Sequence, residues 1–399
     1  VSKHIKNTLA SLLSILVFFV VLEVTARLCF PEFQNQIHSA HKTLGVNYFL
    51  SKSAPGRVPT PDYSSKLNKP LVLILGDSIS HGYGQAYEDI YWVRLQRLMQ
   101  LELGAKAPEF ISLSYYGNDL NDSIDGLKKF LHQHQDATVS EIIYQFNFND
   151  IVPEAYGRSR LHDSSTAFTR SPATLHNHSN GERKSGDLFA SASASVKETT
   201  ERTESDVSRR EWFKTLSRWR SEYLNYSVLL RMAQHYAGAI VRKTSGSCED
   251  RGLHALGPYT WTYGSRKYAQ ESEALWQGFI EALTQLKAMA DAHKIKLSIV
   301  VSPLLFDIDT TGMHSYYNYL NYDFSCSTID PRARLAVTAK KIGIELYDPT
   351  PFIKSSFDAR VKEGNFTPFF FTADENHITP VVSSLMAEDL YVSRKHKAN

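Results

Sequence analysis

An α/β domain of three layers, built on a mostly parallel sheet and interrupted by a long insertion, is predicted by three features of this sequence. Apolar runs of strand length occur at residues 71–75, 110–113, 142–146 and 297–301. They do not alternate between apolar and polar, as expected of strands covered on both faces. Segments of helical period separate these runs, and a long polar stretch after Pro153 breaks the alternation in two.

The elements follow in order. With 399 residues, 42% of them hydrophobic and 22% charged, the chain can bury one sizeable core and still carry appendages. Residues 9–24 are almost wholly apolar and follow Lys3 and Lys6, the pattern of a membrane-inserting segment. Thr8, Thr25, Ala26 and a snorkelling Arg27 extend it, and Glu23 is its one awkward residue. No small-x-small site precedes Arg27, so an uncleaved single-pass transmembrane anchor over residues 1–30 is expected rather than a cleaved signal peptide. By the positive-inside rule the rest is exported, to a bacterial periplasm or cell surface. Arg27 and Leu28 are too large for lipoprotein processing at Cys29, which is read as a buried or interfacial thiol.

Residues 31–68 are polar and punctuated by Pro55, Pro59 and Pro61, and are read as a stem and lead-in. Residues 69–153 are read as the first part of the α/β domain. There the strand at 71–75 is followed by a helix whose Tyr91, Trp92, Leu95, Leu98 and Met99 share a face. A strand at 110–113, a helix around 124–131 and a strand at 142–146 complete that half. Residues 154–265 are the insertion. Its 158–210 part is rich in Ser, Thr, Arg and Glu, and its 212–240 part is an amphipathic helix with Trp212, Leu216, Trp219, Tyr223 and Tyr226 packing on the main domain.

Residues 266–399 resume the domain, with a helix carrying Leu275, Phe279, Leu283 and Leu286 and a strand at 297–301 that ends at Ser302 and Pro303. A helix around 334–341 leads to a short strand at 344–347. The last helix is expected to have Thr379 as N-cap and Pro380 at its first position, with Val382, Leu385, Met386 and Leu390 on one face.

A formal charge of +2, with basic residues scattered along the chain, excludes a nucleic-acid partner, and the lack of a recurring period excludes a solenoid or propeller. In the exported part only Cys248 and Cys326 remain, and spacing leaves a disulfide and two thiols equally open.

In a parallel sheet the loops leaving the strand C-termini converge on one edge, where ligands bind. Those loops carry Gly76, Asp77 and Ser78 after the first strand, Ser114 and Gly117 after the second, and Asn149 and Asp150 after the third. A serine becomes a nucleophile when a base removes its proton, and the base is commonly oriented by a carboxylate. The segment Asp374-Glu375-Asn376-His377 supplies both groups just before a helix. The N–H groups of Ser78 and Gly117 and the side-chain amide of Asn149 are suitable donors for an oxyanion hole.

Gly76-Asp77-Ser78, Gly117, Asn149-Asp150 and Asp374-x-x-His377, in that order, resemble the four blocks of the SGNH (GDSL-like) hydrolase family. The resemblance covers residues 71–151 and 295–393 and does not extend to 158–210. It implies a three-layer α/β/α, flavodoxin-like fold with Ser78 as nucleophile, His377 as base and Asp374 as its partner. It also implies an oxyanion hole of Ser78, Gly117 and Asn149, and no metal or organic cofactor. Each block alone is weak; order, spacing and strand-end placement give the set its specificity. Asn147 departs from the pattern, since many members carry glycine two residues before the block asparagine.

Blander readings stand beside these. Ser78 can cap a helix, Gly117 can punctuate a turn and Asn149 can stabilise a loop. His162, His176 and His178 are better read as solvated loop residues than as metal ligands, given their irregular spacing. His132 and His134 fall at a helix end, and Tyr316, Tyr317, Tyr319 and Tyr322 are read as ordinary packing before a sugar-stacking surface. The expected function is a serine esterase cleaving a carboxylic ester of a small, lipid or carbohydrate alcohol. The anchored layout resembles SGNH proteins that O-acetylate cell-surface polysaccharides, often with a membrane partner supplying the acyl donor. A third function is a non-catalytic, membrane-tethered carbohydrate-binding or assembly protein.

Overall fold

The computed structural model describes residues 2–29, 49–50, 57–58, 69–152, 227, 229, 232, 261–264, 266–309, 327–365, 367–371 and 377–398. Contacts divide the chain into two units, 1–160 with 228–399 and 161–227, and every described residue except Ser227 lies in the first. The expectations for the 158–210 stretch, its three histidines and the 316–322 tyrosines lie outside the described residues. So do Cys248, Cys326 and nearly all of the amphipathic helix expected at 212–240.

The centre of the first unit is a five-stranded, wholly parallel sheet. Its strands are β3 (Leu71–Leu75), β4 (Glu109–Ser112), β5 (Val139–Phe146), β6 (Lys296–Val301) and β7 (Glu345–Tyr347), in the spatial order β4-β3-β5-β6-β7. Renumbered within the sheet this is 2-1-3-4-5, one of the two common doubly wound orders. The apolar runs are continuous because they are covered twice: all five residues of β3 and the last six of β5 are buried. Each fully buried Leu, Ile or Val there contributes roughly 1.5–3 kcal/mol.

Parallel neighbours need crossover connections, and these carry the helices of the domain. Helix α3 (Tyr91–Leu103) lies on one face and packs against the last helix, α9 (Pro380–Ala398). On the other, α4 (Leu120–Gln133) packs on α5 (Ala269–Ala292), which also touches α7 (Pro331–Ile342). Local chemistry sets their ends. Asp119 caps α4 by accepting from the N–H groups of Asn121 and Asp122. Asp330 caps α7, whose first residue is Pro331, and Gly343 closes it in a left-handed conformation.

Four features differ from the sequence expectations. Helix α8 (Thr350–Lys362) was not anticipated; its buried positions, Thr350 and Ile353, are too few to give a clear period. The lead-in contains a two-residue hairpin, β1 (Phe49–Leu50) with β2 (Arg57–Val58), and Arg57 and Val58 are buried. Thr379 holds the N-cap position of α9, its carbonyl accepting from the Ser383 N–H, but its hydroxyl donates to the carbonyls of Pro368 and Phe369 and so fastens the preceding segment. Trp261 to Gly264, drawn at the end of the insertion, are buried in the main body.

The N-terminal segment is helical, as α1 (Ser2–Cys29). Among the described residues, however, no helix is long and apolar enough to cross a membrane. α1 is 28 residues long, and its apolar run, residues 9–24, ends beside Glu23. Its lower end also turns toward protein: Ala26 is buried, and Glu23 accepts from Arg27 Nε at 2.9 Å and from the Leu229 N–H at 3.3 Å. Cys29, expected to be buried or interfacial, is exposed as a free thiol.

Gly76, which ends β3, has φ +147°, and a Cβ there would stand 2.7 Å from Gln145 Oε1 and 3.1 Å from Ser80 Oγ. Gly76→Ala is therefore expected to destabilise the fold by about 1–3 kcal/mol, read as a lower urea midpoint with an unchanged slope. An unaltered midpoint would show that the turn accepts a side chain.

Candidate active site

At the C-terminal edge of the sheet, β3 runs through Gly76 and Asp77 into a single helical turn, α2 (Ser78–His81). Asp77 caps that turn, its Oδ1 accepting from the Ile79 N–H at 2.9 Å. Ser78 is thereby the first residue of a helix, where its N–H has no intrahelical acceptor. Its Oγ lies 2.7 Å from His377 Nε2, joining residues 299 positions apart in the chain. This is hydrogen-bonding distance between a hydroxyl and the ring nitrogen that would take its proton.

His377 is carried by a short return of the chain. Phe370 pairs with Ile378 in an antiparallel bridge, the Phe371 N–H donates to the His377 carbonyl, and the Thr379 N–H donates to the Phe369 carbonyl. From the nucleophile side, Gln85 Nε2 donates to the Ile378 carbonyl at 2.9 Å, and Ser383 donates to Gln85 Oε1 at 2.7 Å. The Tyr83 ring lies against the imidazole, with centroids 4.3 Å apart. Asp374 lies outside the described residues.

The other expected donors stand at neighbouring strand ends. Gly117, after β4, is exposed in a left-handed turn with φ 72°. Asn149 is exposed within a 3-10 turn, Phe148–Ile151, that follows β5. That turn is held firmly. Thr262 donates to the Phe148 carbonyl at 2.7 Å, the Arg332 guanidinium lies 4.8 Å above the Phe148 ring, and Tyr263 stacks on the same ring at 6.1 Å. Arg332 is itself fixed by Asp307 and Asp348.

Asn147 has a clear place here. Its side-chain N–H donates to Asp77 Oδ2 at 2.8 Å, its Oδ1 accepts from the Phe148 N–H, and its own N–H donates to Asp150 Oδ2. A glycine could supply only the last of these. Burial raises the Asp77 carboxyl above its ordinary range, while Asn147, the Ile79 N–H, the field of His377 and the Asn149 amide pull it back. Asp150 is pushed well above the carboxylate range by burial and then by the nearby Asp77, although Tyr144 Oη donates to it at 2.6 Å.

Several residues at the site carry no sequence motif. Arg57, 2% exposed, reaches from the lead-in hairpin and donates to the carbonyls of Gly82 at 2.8 Å, Gln85 at 2.7 Å and His81 at 3.4 Å. It thus ties off the C-terminal end of the turn that carries Ser78, where a cation is favoured. Gly82 leaves room for it, since a Cβ there would lie 2.8 Å from Nη1. Beneath the turn, Ser80 Oγ bonds Tyr91 Oη at 2.8 Å and Gln145 Oε1 at 3.1 Å, and Trp92 Nε1 donates to the Ser80 carbonyl. Only three-dimensional proximity identifies these partners.

His132 and His134 stand at the end of α4, with the His134 ring against Phe130 at 4.7 Å. Among the described residues no group of three or more His, Cys, Asp or Glu is arranged to hold a metal ion.

Asp150 gives a pH prediction. With its folded pKa above the unfolded value, the folded state holds the extra proton, so this group's contribution to stability is lost as pH rises from about 3.8 through the folded value. Asp150→Asn keeps an oxygen acceptor for Tyr144 and Asn147 and removes the titration. The variant is expected to lose less stability than the parent between acid and neutral pH, read from urea midpoints across that range. Parallel curves would refute the assignment.

No family model matches the chain, and no curated protein matches it. Among solved structures it is similar to an acetyl xylan esterase, with a TM-score of 0.34 and 10% identity over 81% of this chain and 98% of that one. A likeness of that size carries no argument about fold or substrate.

Proposed function

We propose that this chain is a serine esterase of SGNH type, with a flavodoxin-like catalytic domain, that cleaves a carboxylic ester through an acyl-serine intermediate. The observation that carries this reading is the 2.7 Å contact between Ser78 Oγ and His377 Nε2. The two groups come from opposite ends of the domain and meet at the sheet edge where ligands bind.

In this reading the neutral His377 accepts the Ser78 proton through Nε2 as Oγ attacks the ester carbonyl. The N–H groups of Ser78 and Gly117 and the Asn149 amide stabilise the oxyanion. The imidazolium then protonates the departing alcohol, and the acyl group stays on Oγ. Water, deprotonated by the same imidazole, attacks the acyl-serine and releases the acid; a bound alcohol in its place would make the reaction an acyl transfer. Asp374 is assigned to hold the Nδ1–H of His377 and offset its transient positive charge. The Tyr83 ring limits how the imidazole can tilt, and Arg57 keeps the nucleophile's turn closed. No metal or organic cofactor enters any step.

Ser78→Ala is expected to lower kcat/KM for 4-nitrophenyl acetate by about 10³-fold or more, with unchanged circular dichroism and urea midpoint. A fluorophosphonate probe should label Ser78 in the parent and nothing in the variant. Undiminished turnover in Ser78→Ala would exclude Ser78 as nucleophile, and a folded parent that resists the probe would favour a non-catalytic binding protein.

We also assign α1 to a lipid surface. Leu13, Ile15 to Leu22, Val24 and Leu28 expose large apolar side chains, a run that water does not favour and acyl chains do. The full chain is expected to float with phosphatidylglycerol–phosphatidylethanolamine vesicles in a density gradient, and a chain starting at residue 31 to stay at the bottom. Equal flotation would remove the assignment.

A further inference from the structure

Beside the Ser78–His377 pair stands an aromatic wall whose outer rings, Tyr115 and Tyr116, the hydrolytic steps leave unused. The Tyr83 ring that lies on His377 meets Tyr116 edge-on, at 5.6 Å and 89°. Tyr116 leans on the His81 imidazole at 4.4 Å, and Tyr115 stacks along the same imidazole at 6.1 Å and 26°. Tyr115 and Tyr116 directly precede Gly117, and they keep 39% and 48% of their surface open. Two adjacent exposed rings, of which Tyr116 is two ring contacts from the candidate base, form a patch rather than scattered surface residues.

We propose that Tyr115 and Tyr116, braced by His81 and Tyr83, form a stacking platform for a pyranose ring, and that the ester presented to Ser78 is carried by a glycan. This rests on the esterase reading and names its substrate class. A sugar ring has a C–H face and a hydroxyl rim. A tyrosine matches both, with an electron-rich face that attracts C–H groups and a hydroxyl at its tip.

Three observations favour a sugar over other occupants. Tyr83, Tyr115 and Tyr116 each pair a flat ring face with a phenolic hydroxyl, so the wall offers hydrogen-bonding tips as well as stacking faces. Its members are neutral: His81 donates its Nδ1–H to the Ser114 carbonyl at 3.0 Å, and burial pushes its pKa down. A strongly anionic ligand therefore finds no counter-charge among them. The rings are already held from behind, by a buried imidazole and an edge-on neighbour, so stacking a ligand on them orders little that is free.

The test uses the full chain, 4-nitrophenyl acetate, and a panel of acetylated xylo-, manno- and chito-oligosaccharides. In the double variant Tyr115→Ala/Tyr116→Ala, the ratio of kcat/KM for the best oligosaccharide to that for 4-nitrophenyl acetate is expected to fall roughly ten-fold or more, through KM. Tyr115→Phe/Tyr116→Phe should restore most of that ratio, because the stacking face remains. An unchanged ratio would overturn the platform, as would a parent that hydrolyses 4-nitrophenyl acetate but accepts no oligosaccharide. Calorimetric titration of unacylated oligosaccharides into Ser78→Ala separates the two proposals. Binding there that the tyrosine double variant loses supports the platform even where no ester is cleaved, and no binding together with no turnover rejects both.

Discussion

The buried carboxylate of Asp77 is the constraint around which the site is arranged. A carboxyl taken out of water at a strand end needs donors, and each donor it finds fixes a different piece of the chain. The Ile79 N–H sets the turn that presents Ser78, and the Asn147 amide binds the end of β3 to the end of β5. His377, from the far end of the sequence, also helps to pull the pKa of the same carboxyl back down. Moving either donor would leave the buried carboxyl less satisfied, so the turn that presents Ser78 and the end of β5 share one anchor.

Around that anchor the structure relies on clamps between segments distant in sequence. Arg57 gathers three carbonyls of the loop that follows Ser78, and Gln85, the last residue it touches, passes the connection to Ile378 and Ser383. The lead-in hairpin, the first strand's loop and the start of the last helix are thus joined through one arginine and one glutamine. On the other flank, Thr262 and Arg332 hold the turn that carries Asn149. Catalytic geometry needs placement to within a fraction of an ångström, and stiff hydrogen bonds from several directions are how a loop acquires it.

The sheet was largely legible in the sequence, because strands covered on both faces must be apolar throughout. β3 matches its expected bounds, β6 and β7 differ from theirs by one residue at the start, and β4 is shifted by one residue at both ends. β5 begins three residues early, at Val139, because its first residues are only partly covered or exposed and break the apolar run. α8 was missed for a related reason: two buried positions in thirteen give no readable period. The lead-in hid its role because a single buried arginine looks, in sequence, like any surface cation. Asn147 was visible as a departure from a pattern, but its purpose depends on Asp77, seventy residues earlier.

The sequence by itself determined the doubly wound alternation, the strand-end positions of Ser78, Gly117 and Asn149, and the pairing of residue types suited to acyl chemistry. These follow from local rules: burial dictates apolar runs, and the connectivity of a parallel sheet dictates which loops share an edge. Only the tertiary structure decided that Ser78 Oγ and His377 Nε2 meet at 2.7 Å, that Arg57 belongs to the site, and that Tyr115 and Tyr116 stand open beside it. Those are contacts between residues far apart in the chain, and the periodicity of neither partner encodes the other's position.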